Sequence, residues 1–70
     1  MVIQELKMKY NYVLNRYYNG CNYIEANPDQ FNKYIDKVIN FKTQLDEILT
    51  EIEKKQIVTE SEILGGFEIC

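Results

Sequence analysis

Two apolar stripes that hold a single phase constrain this chain more than anything else in it. Ile3, Leu6, Tyr10, Val13, Tyr17, Gly20 and Ile24 follow one another at alternating steps of three and four residues. Phe31, Tyr34, Val38, Phe41, Leu45, Ile48 and Ile52 repeat the alternation. Such spacing places every member on one face of a helix, so the pattern predicts two long amphipathic helices. At 1.5 Å per residue they run to about 36 and 40 Å.

The chain turns between them at EANPDQF, which holds its single proline, Pro28. The residue before a proline avoids the helical region, so the first helix stops near Ala26. Asn27 is placed to cap the second helix with its side-chain oxygen, and Pro28 falls at the first helical position, where no N–H is needed. Asp29 suits the positive end of the helix dipole, and Gln30 sits where a capping box puts its Glu or Gln. A linker this short makes the helices antiparallel neighbours. The expected boundaries are helix 1 at about 2–26, helix 2 at about 28–55 and a C-terminal hook at about 57–70, all in one all-α domain.

RYYNGCNY (16–23) contains Asn-Gly, which ordinarily marks a turn. Here Tyr17, Gly20 and Ile24 stay in phase with Ile3 through Val13, so the helix is expected to run through. A glycine inside a helix costs about 1 kcal/mol against alanine. Its place on the seam predicts either a close backbone approach or room for a large ring, a tyrosine or phenylalanine from a partner helix. Cys21 reads as a small buried apolar side chain, and Tyr18 points outward.

With the stripe positions named a and d, Leu14 and Cys21 occupy e positions on helix 1, as do Ile35 and Leu49 on helix 2. A two-helix seam needs only a and d; an a/d/e face suits a bundle of three or more helices. Seventy residues bury little core alone. The extra width therefore predicts that two hairpins pair into a four-helix bundle, or that one docks on another protein.

The tail, IVTESEILGGFEIC, carries a capping box, with Thr59 as N-cap and Glu62 three residues on, and Gly65-Gly66 to end the short helix. Phe67 and Ile69 alternate with Glu68. The segment reads either as a hook over the open end of the hairpin or as an arm that grips a partner.

Composition narrows the function. The chain has no histidine, and its two cysteines, Cys21 and Cys70, form no metal-ligand motif. They read as free thiols. No nucleophile motif or phosphate loop is present. The chain is read as a non-enzyme with no cofactor and no metal. No apolar run nears the ~20 residues of a membrane span, and the N-terminus lacks an apolar signal core. The expected setting is the cytoplasm, by default. Residues 1–43 carry a formal charge of +2 and residues 44–70 one of −5, which is not the basic stripe of a nucleic-acid binder. Lys9, Arg16 and Lys37 occupy g positions, Lys7 and Lys42 e positions and Lys33 a c position, so they flank the seam instead of forming one exposed stripe.

Protein binding is the best-supported class. Met8 and Tyr12 are neighbours on the outer face of helix 1, with Tyr18 near them, and Ile39 is out of place on helix 2. Together with Gly20, Phe67 and Ile69 they form the candidate interface set, aromatics and Met being enriched at interfaces.

The layout RYYNGCNYIE, a proline-punctuated turn, FNKYIDKVINFKTQLDEILTEI and VTESEILGGF resembles small accessory proteins of bacteriophages and mobile elements from low-GC Gram-positive bacteria. The resemblance implies a modulator or inhibitor of a host factor, of a defence or anti-CRISPR type, with a second copy and a host or phage protein as partners. The alternative is a structural or assembly subunit, and the third reading is a nucleic-acid-binding hairpin dimer. A second resemblance is to the helical-hairpin phosphatases of sporulation, which carry Ser-Gln-x-Leu-Asp on helix 2. Leu45-Asp46 matches that motif, but Lys42 stands where its Ser would be and Gln44 is one place late.

Overall fold

The computed structural model describes residues 2–68. Ile69, one of the interface candidates, and Cys70 lie outside the described residues. The elements are α1 (Ile3–Ala26), a 3-10 turn (Pro28–Gln30), α2 (Phe31–Glu53) and α3 (Glu60–Gly65). α1 and α2 pack along each other as a hairpin, and the molecule measures 41 × 18 × 18 Å. α1 runs unbroken through Asn19-Gly20, as its phase requires.

The turn is built differently from the expected cap. The Asn27 side chain does not cap α2; its amide Nδ2 donates back to the Tyr23 carbonyl at 3.0 Å. The Gln30 side chain does not reach the Asn27 backbone either; it donates to Asp29 at 3.1 Å. Pro28 does open the new element, but as a 3-10 turn, with the Gln30 N–H on the Asn27 carbonyl at 2.9 Å. The sequence supplies an Asx residue at the junction, and the Tyr23 carbonyl in the last turn of α1, which also accepts the Asn27 backbone N–H at 2.9 Å, takes it. At the far end, α2 stops at Glu53 and unwinds through Lys54 and Lys55.

The core lies toward the open end of the hairpin. Leu6, Tyr10, Val13 and Leu14 from α1 meet Leu45, Ile48 and Ile52 from α2, with Ile52 fully excluded from solvent. Phe67 completes this cluster at 5 % exposure. The tail therefore returns to the hairpin as a hook, and Phe67, one of the interface candidates, lies in the core of the single chain.

Three side chains of α1 hold the hook. The Tyr10 hydroxyl donates to the Ile63 carbonyl at 2.6 Å, and the Tyr10 ring meets Phe67 edge-on at 5.2 Å. The Asn11 amide both donates to the Phe67 carbonyl and accepts from its N–H, each at 2.7 Å. The Tyr18 hydroxyl donates to the Leu64 carbonyl at 2.5 Å. The expected capping box starts α3: Glu62 N–H donates to Thr59 Oγ1, and Thr59 N–H to Glu62 Oε1. Gly66 then turns the chain at φ 91°.

α3 lies over the e side of the hairpin. Leu14, Lys42 and Leu49, three e-position residues, line one cleft with Ile63 and Leu64. The apolar width that pointed to a second hairpin is met in part, along this stretch, by the chain's own third helix, which leaves a cleft over Leu45 and Leu49.

Candidate functional site

In an antiparallel pair, e residues of the two helices share one edge of the seam and g residues share the other. The e edge carries α3. The g edge is open near the turn and forms a groove of about 290 Å³.

Its floor is made where the seam is narrowest. Gly20 faces Val38 so closely that a Cβ on the glycine would lie 3.0 Å from Val38 Cγ2. Having no side chain, Gly20 leaves a notch that the rings around it do not fill. Tyr23 and Tyr34 form one wall as an edge-to-face pair, with centroids 4.9 Å apart at 74°. Phe41 forms the other end.

Three cations surround this apolar surface. Lys37 Nζ lies 5.5 Å and Lys33 Nζ 5.8 Å from the centroid of Tyr34. The Arg16 guanidinium lies 5.5 Å from the ring of Tyr12 and 5.8 Å from that of Phe41, and its Nη1 donates to the Tyr12 hydroxyl at 3.1 Å. The described ion pairs involve other lysines, Lys42 with Asp46 and Lys54 with Glu51. Among the described residues, then, the groove cations rest on rings and face no carboxylate within ion-pair distance. Desolvation pushes the Tyr23 phenol up, with the Tyr34 phenol beside it and then Asp29 adding to the effect. Tyr23 is thus neutral at physiological pH, and the charges around the groove are those of Arg16, Lys33 and Lys37, with Asp29 near the Tyr23 end.

The structure divides the residues singled out from sequence. Gly20 forms the groove floor, and Tyr12, 62 % exposed, joins the groove through Arg16. Tyr18 is outward, but its hydroxyl is committed to the hook. Met8 and Ile39 are exposed and do not line the groove. Phe67 is core. Sequence reasoning missed Tyr23 as part of a site and treated Arg16 and Lys37 only as charges flanking the seam. The available signal was that Arg16, Tyr23 and Lys37 are all g residues and so share one edge with the Gly20 notch.

Among the described residues no three metal-ligating side chains converge, and Cys21 is a half-buried free thiol. No helix is long and apolar enough to cross a membrane. Comparisons with protein families, curated proteins and solved structures find no match.

Proposed function

We propose that the chain is a non-enzymatic protein-binding module whose docking face is the g edge of the hairpin. The observation that carries this reading is the groove over Gly20: apolar, walled by Tyr23, Tyr34 and Phe41, and lined by the hairpin alone, whereas the cleft on the other edge is shared with Ile63 and Leu64 of the chain's own tail. Aromatic anchors beside arginine are the composition of binding hot spots. The resemblance to phage and mobile-element accessory proteins makes a modulator or inhibitor of a host factor the role that suits it.

The four-helix bundle expected from sequence transfers to this face. With the e edge occupied by α3, a second hairpin would pack on the g edge, and a self-assembling structural subunit is the competing role.

Capture experiments with point variants test the reading. Tyr23→Ser alters the groove, and Met8→Ser alters exposed surface away from it; both positions are solvent-exposed. Each variant is first matched to the parent by circular dichroism. The expected result is a stoichiometric partner from bacterial lysate that Tyr23→Ser loses and Met8→Ser keeps. Loss with Met8→Ser alone would move the docking face elsewhere, and the absence of any partner would refute the reading.

A further inference from the structure

We infer that the groove takes an amphipathic helix from a partner protein, apolar along one stripe and acidic along its flanks. The inference rests on the protein-binding reading and names the chemistry of the partner.

Two observations argue for this occupant. The first is charge. Arg16, Lys33 and Lys37 stand around an apolar floor with rings beneath them and no carboxylate opposite. A ligand bearing Asp or Glu on its flanks supplies the missing partners, and cations held over rings are already positioned to meet it. Steering favours an acidic segment at this end of the molecule, since residues 16–43 around the turn carry four cations against three carboxylates, net +1, and the rest of the chain is net −4.

The second observation is that the hairpin already binds such a helix on its other edge. α3, ESEILG, places Glu60 and Glu62 in its first turn and lays Ile63 and Leu64 along the e-edge cleft, with Leu64 still 58 % exposed. The Thr59 hydrogen bonds, and after them Lys7, lower the Glu62 carboxyl. Each edge of the helical pair thus carries an apolar cleft bordered by a lysine, Lys37 on the g edge and Lys42, already paired with Asp46, on the e edge. On the e edge the occupant is an acidic helix. The g edge differs in having a glycine, Gly20, among the residues that line its cleft. The geometry is that of a helix laid into a groove, with one apolar anchor over Gly20 and others against Tyr34 and Phe41.

The test uses the full chain and a designed peptide of about 18 residues, long enough to hold a helix, with Leu along one stripe and Glu on both flanks. A twin carries Lys for every Glu. Backbone NMR shifts of the protein are followed on titration. The expected result is binding of the Glu peptide with shifts centred on Gly20, Tyr23, Tyr34 and Lys37. Affinity falls about tenfold or more in the Arg16→Glu/Lys37→Glu variant, and again as salt rises to about 1 M, where charges are screened beyond about 3 Å. The Lys twin does not bind.

Equal binding of the Lys twin, shifts confined to the α3 edge, or no binding of the Glu peptide overturns the inference. So does preferential binding of a single-stranded uridine oligonucleotide, which would make the rings and cations a base-stacking platform. Concentration-dependent shifts of the groove in the protein alone would make a second copy the occupant. A Glu peptide that fails to bind while Tyr23→Ser still abolishes partner capture removes the acidic helix and leaves the protein-binding reading standing.

Discussion

Gly20 and Val38 approach so closely across the hairpin that one added methyl group would sit 3.0 Å from Val38 Cγ2. The contact explains a residue that helix propensity disfavours, and it forms the floor of the groove proposed as the docking face.

Gly20→Ala sets two effects against each other. Alanine adds about 1 kcal/mol of helix propensity. The new methyl must displace Val38, which is buried and β-branched and so stiff about its first torsion. The expected net change in urea unfolding is within about 0.5 kcal/mol of zero. Combining Gly20→Ala with Val38→Ala should recover about 0.5–1 kcal/mol of coupling. A single-variant gain of the full propensity value would mean that Val38 yields freely and that the seam is not tight there.

Asn11 clamps Phe67 by bonding both its N–H and its carbonyl, so Asn11→Ala leaves two backbone groups without their partner. A loss of about 1–3 kcal/mol is expected. Phe67→Ala, which empties a core site, should cost about 3–5 kcal/mol. Both variants should raise hydrogen exchange in α3 before they affect α1, because the hook is held by few contacts.

Gly66→Ala should destabilise for two reasons acting together. Its φ of 91° is a conformation that alanine resists, and a Cβ would lie 2.7 Å from Asn11 Oδ1. Gly65 has nothing within 4 Å of its virtual Cβ and no positive φ, so Gly65→Ala is the control and should be tolerated. Thermal melts of the two variants should differ by several degrees.

The hook should loosen at both ends of the pH scale. The Thr59 backbone N–H, and then its hydroxyl, hold the Glu62 carboxyl below its usual 4.5. A group depressed in the fold adds stability that is complete above its unfolded value and lost as pH falls through the folded one. Burial, then Tyr18 and Asp46, push the Tyr10 phenol above its usual 10.0. That contribution has the opposite sign: complete below the unfolded value, lost as pH rises through the folded one. Melting temperature against pH should therefore drop below about 4.5 and above about 10. Glu62→Gln should flatten the acid limb, and Tyr10→Phe the alkaline limb. Tyr10→Phe should also cost about 1 kcal/mol at neutral pH, from the bond to Ile63.

What the sequence discloses follows the range of the interactions. The helices, the passage of α1 through Asn19-Gly20, the tight approach at Gly20 and the Thr59–Glu62 box all depend on local spacing, and all are present. The roles of Tyr18, Asn11 and Phe67 depend on contacts between residues 46 to 56 apart in the chain, which no period encodes. The e-position width was legible, but its partner was not: Leu14 and Leu49 needed apolar cover, and nothing in their spacing distinguishes a second hairpin from residues 60–65 of the same chain. Asn27 shows a different limit. Its residue type favours two neighbouring carbonyl and amide partners, and the geometry of the turn chooses between them. The groove was half legible, since Gly20 stood out alone while Tyr23, Lys37 and Arg16 needed the antiparallel pairing to bring them to one edge.

The most direct test of the account is site-directed photo-crosslinking from each edge of the hairpin. A photoreactive residue is placed at Asn19, which is exposed and lines the groove, or at Ser61, which is exposed on α3. Each chain is irradiated in bacterial lysate and the products are read by mass spectrometry. The account predicts one discrete adduct with a foreign protein from position 19, joined through a helix with acidic flanks, and none from position 61. An adduct from position 61 alone, or equal yields from both, would contradict it.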